Sequence, residues 1–152
     1  MSARGYPSGM ALIDSTGLHH VRITVTDLAR SRAFYEGVLG FDVAKESPGD
    51  VSDPQVRSDP EQLYGGVVYQ TGGTLFGLRP VADAGDRFDS TRVGLDHVSF
   101  AMPSKDALDA VAGKLADAGV EHGYVNELEG FGIAILSFQD PDGINLELSA
   151  PV

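Results

Sequence analysis

The sequence predicts an α+β fold made of two βαβββ modules, and an internal repeat is the main reason. At an offset of 77 positions, His20 falls on His97 and Asp27 falls on Ser104. The two segments around these histidines alternate apolar and other residues, which is typical of β-strands. Asp27 and Ser104 are favoured residue types at the N-cap of a helix, so a helix is expected after each strand. A strand and helix that recur at a fixed offset predict two related modules.

The elements follow one another in the same order in both halves. The first half has a predicted strand at 18–25, a helix from Asp27 to Gly40, and strands at 41–46, 67–71 and 74–78. The second half has a predicted strand at 95–102, a helix from Ser104 to Gly119, and strands at 120–126, 132–139 and 144–149. We therefore divide the chain into a flexible tail at 1–16, a first module at 17–80, a linker at 81–92 and a second module at 93–152.

One segment breaks the symmetry between the halves. Residues 47–64 are an insertion between the second and third strands of the first half, with three prolines and several acidic residues. This composition predicts a surface loop. A loop of this length is either functional, for example a lid that shapes the entrance of a site, or a solvent-exposed connection.

Charge and composition exclude several classes of function. The chain has 22 acidic and 11 basic residues, a net charge of -11, which argues against a nucleic-acid partner. It has no cysteine, so thiol catalysis, thiolate metal sites and disulfides are excluded. No apolar run reaches the roughly 20 residues of a membrane span, and the N-terminal segment lacks the apolar core of a secretory signal. We expect a cytoplasmic protein that binds a small molecule and has no membrane partner.

Three side chains point to a metal centre. His20, His97 and Glu147 occupy similar positions in three predicted strands, and alternation puts each on the polar face of its strand. Two imidazoles and a carboxylate suit a catalytic divalent metal that keeps positions open for water or substrate. Arg22 shares the face of His20, where it could hold an anionic substrate group or pair with Glu147 or another acid. Hydrogen-bonded or solvated residues without a metal would give the same pattern.

Other polar side chains carry weaker signals. His19 neighbours His20 but is expected to face the opposite side of the strand. His122 follows the second helix and is expected at the surface. Tyr64, Tyr69 and Tyr124 could move protons, but the sequence singles out none of them, and the catalytic residues stay unknown.

Four segments in this order resemble the vicinal oxygen chelate superfamily, which includes glyoxalase I, extradiol dioxygenases and bleomycin-resistance proteins. The segments are GLHHVRITVTDLARSRAFYEGVLGF at 17–41, TLFGLRP at 74–80, GLDHVSF at 94–100 and FQDPDGINLEL at 138–148. The resemblance implies two paired modules that form an open curved barrel around a cavity. It also implies a homodimer, because members of this length usually pair.

The resemblance further implies that His20, His97 and Glu147 are ligands of one divalent ion, which could be iron, manganese, zinc or nickel. The family's fourth ligand position falls on Gly77, which cannot coordinate a metal. Three ligands resemble the extradiol dioxygenases and the fosfomycin-resistance enzymes more than glyoxalase I. The implied function is an enzyme in which the metal chelates two neighbouring oxygens of a small oxygen-rich substrate. Aromatic compounds and diols are substrates of this kind. The alternative is a metal-free binding or resistance protein of the bleomycin-resistance type.

Overall fold

The computed structural model describes residues 13–152, so the predicted tail at 1–16 lies mostly outside the described residues. The strands are β1 His20–Thr24, β2 Asp42–Glu46, β3 Val67–Thr71, β4 Thr74–Arg79, β5 Val98–Ala101, β6 Asn126–Leu128, β7 Ile133–Gln139 and β8 Asn145–Pro151. The α-helices are α1 Leu28–Arg32, α2 Pro54–Ser58 and α3 Lys105–Asp117. A π-helix (Ala33–Val38) continues α1, a 3₁₀-helix (Pro60–Gly65) follows α2, and a short 3₁₀-helix (Glu129–Phe131) follows β6. No helix in 13–152 is both long and apolar enough to cross a bilayer.

Each half of the chain forms its own four-stranded mixed sheet. The strand orders are β1-β4-β3-β2 and β5-β8-β7-β6. In each sheet the first strand runs parallel to the last strand of its half, and the other neighbours are antiparallel. The predicted α+β class with two βαβββ halves is confirmed. The strands of the described residues do not close into a barrel.

The two sheets share one apolar core. Ile23 of β1 and Val25 just after it are buried, as strand alternation predicts. Phe100 of β5 lies against two aromatic rings of the first half, with centroid distances of 5.0 Å to Phe41 and 5.3 Å to Phe76. The apolar faces of both sheets are therefore turned inward, and their polar faces are left for ligands.

A buried polar network joins the first half of the chain to the turn before β8. The Tyr35 hydroxyl donates to Asp140 Oδ2 at 3.0 Å, and Asp140 Oδ1 accepts from the backbone N–H groups of Asp142 and Ile144 at 2.9 and 2.8 Å. Asp142 in turn accepts from the backbone and hydroxyl of Thr26 at 3.0 and 2.6 Å. Burial raises the pKa of both the Tyr35 hydroxyl and the Asp140 carboxyl. These bonds hold the strand that carries Glu147 against the first half.

The helix caps are confirmed. The Asp27 side chain accepts from Arg30 N at 3.0 Å, and the Ser104 side chain accepts from Ala107 N at 3.2 Å. The first helix differs from the expected regular helix, since Leu39 N donates to Phe34 O five residues back, the π-helical pattern.

The predicted strand at 120–126 is wrong. This segment forms only an isolated bridge between His122 and Phe138, and β6 begins at Asn126. Val120 and Val125 both pack on the core but are an odd number of positions apart. Two residues at that spacing cannot lie on one face of a regular strand, so the segment runs irregularly.

The insertion at 47–64 is more ordered than the surface loop that its composition predicts. It contains α2, whose N-cap Asp53 accepts from Gln55 N at 2.8 Å, and it buries Val56. At its end, Leu63 and Tyr64 adopt left-handed backbone conformations, with φ of 53° and 58°. Such conformations are strained for residues other than glycine and are typical of functional sites.

Candidate metal centre and substrate cavity

The structure brings His97 and Glu147 together on the polar face of the second sheet. His97 immediately precedes β5, and β5 runs beside β8, so the His97 Nε2 and Glu147 Oε1 atoms are 4.0 Å apart. The Glu147 side chain is 16% exposed and the His97 side chain 45% exposed. A carboxylate and an imidazole thus converge at the edge of a cavity, one mostly buried and one open to solvent.

Two further side chains orient this pair. Asp96 Oδ1 lies 2.5 Å from His97 Nδ1, and Ser99 Oγ donates to Glu147 Oε1 at 2.8 Å. A carboxylate can only accept, so His97 Nδ1 is the donor in this bond, and Nε2 is the ring nitrogen 4.0 Å from Glu147 Oε1. Metal-binding histidines in proteins are usually held by such a second hydrogen bond. Neither Asp96 nor Ser99 is among the site residues that the sequence singled out.

The donor set of this pair fits a divalent metal. Adjacent donor atoms that are each about 2.0–2.2 Å from one ion lie about 3.0–3.5 Å apart, so His97 Nε2 and Glu147 Oε1, at 4.0 Å, would have to move closer by about half an ångström to share a metal. A third donor from the same chain is missing, because no group of three His, Asp or Glu side chains within 13–152 is arranged to hold a metal ion. His20 lines a different cavity, on the first sheet. The structure therefore unites two of the three predicted ligands within one chain.

His122 shares the cavity of His97 and Glu147, which the sequence did not indicate. This cavity has a volume of about 500 Å³, and Glu121 and Asn145 also line it. His122 is half-buried rather than fully exposed, and its Nδ1 lies 2.7 Å from the backbone oxygen of Gly123. Because a carbonyl only accepts, Nδ1 is the donor in this contact.

The polar face of the first sheet forms a second cavity, of about 390 Å³. His20, Arg22 and Lys45 line it together with apolar residues that include Leu63 of the insertion. The position of His19 differs from the expectation, since its Nδ1 lies 3.0 Å from His20 Nδ1. The His19 side chain therefore contacts that of His20 and does not point away from it.

The registers of the two sheets explain why Gly77 stands where a ligand is expected. Arg22 is paired with Gly77 in the first sheet as Ser99 is paired with Glu147 in the second. A Cβ atom at Gly77 would lie 3.2 Å from Arg22 Nε. Glycine at this position thus makes room for the Arg22 side chain, which passes over the site that Glu147 occupies in the other half.

The three tyrosines have different surroundings. Tyr69 is buried, donates to Glu36 Oε1 at 3.0 Å, and has a pKa that burial raises, which makes it a structural residue. Tyr124 is 89% exposed and lines neither of the two cavities. Tyr64 stacks on the side chain of Arg79, whose Cζ is 3.8 Å from the ring centroid.

Comparison with known proteins identifies relatives along most of the chain. The family model of the Glyoxalase/Bleomycin resistance protein/Dioxygenase superfamily matches residues 17–148. A catechol-2,3-dioxygenase of Bacillus subtilis (strain 168) is 28% identical over 109 residues, which are 72% of this chain and 34% of the dioxygenase. The chain therefore spans about a third of the length of that enzyme.

Solved structures show the same fold. A glyoxylase/bleomycin resistance protein/dioxygenase domain from Frankia sp. EAN1pec has a TM-score of 0.70 and 29% identity, covering 91% of this chain and 94% of that one. A genomically encoded fosfomycin resistance protein from Listeria monocytogenes has a TM-score of 0.64 and 18% identity, covering 91% and 96%. At 18% identity the second likeness concerns the fold alone.

Proposed function

The chain belongs to the Glyoxalase/Bleomycin resistance protein/Dioxygenase superfamily, and from this premise we propose that it is a metal-dependent enzyme acting on a small oxygen-rich substrate. The observation that carries the proposal is the pair of His97 and Glu147, 4.0 Å apart and each oriented by a second side chain. His20 is the proposed third ligand. A divalent ion in such a site acts as a Lewis acid that stabilises negative charge on substrate oxygens.

In this proposal His20 comes from a second copy of the chain. One chain presents His20 on one polar face and His97 with Glu147 on another, and three ligands do not meet within residues 13–152. The matched registers of the two sheets support this arrangement, because they give the two faces equivalent positions in their own halves. A two-fold homodimer would bring the first face of each copy to the second face of the other, giving two complete sites.

The chain's own residues supply orientation and proton transfer. Asp96 keeps the proton of His97 on Nδ1, and Ser99 holds the Glu147 carboxylate. His122 lines the same cavity and donates through Nδ1 to Gly123 O, so we propose its other ring nitrogen, Nε2, as the base that accepts a proton from a bound hydroxyl group.

The dioxygenase branch is the better-supported reaction class. Gly77 supplies no fourth ligand, so more positions stay open for substrate and dioxygen than in a site with four protein ligands. The curated relative at 28% identity is a catechol-2,3-dioxygenase. Oxygen uptake by iron(II)-loaded protein with a panel of catechols tests this class. Metal binding without uptake for any catechol would instead favour a lyase, isomerase or transferase of the same superfamily.

Elemental analysis of protein purified without chelator tests the metal site itself. Wild type should hold one divalent ion per chain, and Glu147→Ala should lose it because the only anionic ligand is gone. Glu129→Ala is a matched control, since Glu129 is an exposed acid of the same module. If wild type binds no iron, manganese, zinc or nickel, or if both variants retain equal metal, the metal-free binding protein becomes the better account.

A further inference from the structure

The first cavity has a local charge opposite to that of the whole chain. The chain carries 22 acidic and 11 basic residues, yet the residues that line this cavity include Arg22, Lys45 and His20 and no acid. The remaining lining is largely apolar, with Leu63, Val68 and Leu75 among it. Such a lining suits a ligand with an apolar body and an anionic end.

Two guanidinium groups meet at one aromatic ring beside this cavity. The Cζ atoms of Arg79 and Arg22 lie 3.8 and 5.6 Å from the centroid of the Tyr64 ring. Arg79 Nε is buried and has no hydrogen-bond partner among the described residues. Within 13–152, neither arginine has a carboxylate within ion-pairing distance. Within one chain these two neighbouring cations repel each other, and an anion bound between them would relieve the repulsion.

The backbone beside this cavity is strained at two residues. Leu63 and Tyr64 both have positive φ, and Gly66 follows with a backbone so close to Leu78 that a Cβ would lie 1.9 Å from its carbonyl oxygen. Leu63 thereby lines the cavity and Tyr64 lies over both arginines. Strain of this kind persists where the surrounding fold enforces it, and it clusters at ligand sites.

We propose that this cavity binds the oxyanion end, carboxylate or phosphonate, of an otherwise apolar small molecule, with Arg22 as the main donor and Arg79 held beside it by Tyr64. Arg22 can bind such a group with two parallel N–H donors, and Gly77 leaves it the room to do so. The inference rests on the proposed function in one respect: since His20 lines the same cavity, the bound molecule is the substrate. The substrate would then be anionic, although the net charge of the chain alone favours a cation.

Calorimetric titration of EDTA-treated protein with phenylphosphonate, benzoate and the neutral benzamide tests the proposal. We expect the two anions to bind and benzamide not to bind. Arg22→Gln should weaken anion binding by about tenfold or more, the usual effect of losing a charge-assisted hydrogen bond. Arg92→Gln is the matched control, because Arg92 is 85% exposed and lies outside this cavity, and it should leave the affinity unchanged.

Thermal melts of the variants would show that they remain folded. Equal binding of benzamide and benzoate would overturn the proposal, as would no binding of either anion at millimolar concentration or unchanged affinity in Arg22→Gln. If wild type binds no metal but keeps Arg22-dependent anion binding, the metalloenzyme proposal fails and the anion site stands. If wild type binds metal but neither anion, the anion site fails and the metalloenzyme proposal stands.

Discussion

At the scale of single residues, His97 and Glu147 each contact a neighbouring polar side chain, Asp96 and Ser99 respectively. Alternation along the strands correctly predicted that His97 and Glu147 share a polar region. It could not predict the contact between Asp96 and His97, because strict alternation puts adjacent residues on opposite faces, and both residues precede β5, where alternation is not enforced. The closeness of His19 to His20 escaped prediction for the same reason, since His19 precedes β1.

Asp96→Asn tests the orientation of His97. An amide can present its N–H₂ group to the imidazole and so favours the wrong tautomer, with the proton on Nε2. We expect metal affinity to fall by about ten- to a hundredfold, the range seen when such outer partners are changed. Competition with a chromophoric chelator would measure this. Asp83→Asn, an exposed residue that does not line this cavity, is the control, and an equal affinity of both variants would contradict the role of Asp96.

A second residue-scale prediction concerns Gly66. An alanine Cβ at this position would lie 1.9 Å from the Leu78 carbonyl oxygen, whereas one at Gly73 would meet nothing within 4 Å. Gly66→Ala should therefore lower the free energy of unfolding by about 2 kcal/mol or more, and Gly73→Ala should change it little. Urea denaturation of the two variants would measure the difference. Similar free energies of unfolding for the two variants would contradict this prediction, because the backbone at Gly66 would then accommodate a Cβ atom without loss of stability.

At the scale of elements, the alternating strands and the helix caps could be predicted, and the irregular segments could not. The predicted third strand of the first half, at 67–71, agrees with β3, and Asp27 and Ser104 do cap their helices. The π-helix after α1 has no signal in the sequence, and two of its residues, Phe34 and Tyr35, lie against Phe138 and Asp140 of the second half. The strained end of the insertion likewise depends on tertiary contacts.

Tyr35 gives an element-scale prediction about alkaline pH. Burial raises the pKa of its hydroxyl well above the usual value of about 10, so the native state keeps this proton when the unfolded state loses it. Stability linked to this group is thus present below about pH 10 and decreases as pH rises further. We expect the melting temperature of wild type to fall more steeply from pH 9 to pH 11 than that of Tyr35→Phe/Asp140→Asn, which removes both buried groups. Tyr124→Phe, at an exposed position, should follow the wild-type slope. Equal slopes of melting temperature against pH in all three proteins would contradict a contribution from the buried Tyr35 hydroxyl.

At the scale of the whole molecule, the two polar faces carry opposite charge. Arg22 and Lys45 line the first cavity, and Asp96, Glu121 and Glu147 line the second. Opposite charges on surfaces that meet favour association and fix its orientation. The 77-residue offset predicted that the polar faces of the two sheets have equivalent positions. It could not predict whether these faces lie against each other within one chain, since that depends on how the two sheets pack. Because the apolar sides of the sheets form the shared core, each polar face is available to a second copy.

The proposed arrangement across two chains makes a quantitative prediction about mixed variants. His20→Ala and His97→Ala homodimers should each lack complete metal sites. In a heterodimer, His20 from the His97→Ala chain meets His97 and Glu147 of the His20→Ala chain, so one of its two sites is intact. After an equal mixture is unfolded and refolded, half of the dimers are heterodimers, and about one quarter of the wild-type metal content should return. Elemental analysis would measure the metal, and native mass spectrometry would confirm the heterodimer. Heterodimers without restored metal would contradict a site shared between chains, because a site within one chain lacks a ligand in both variants.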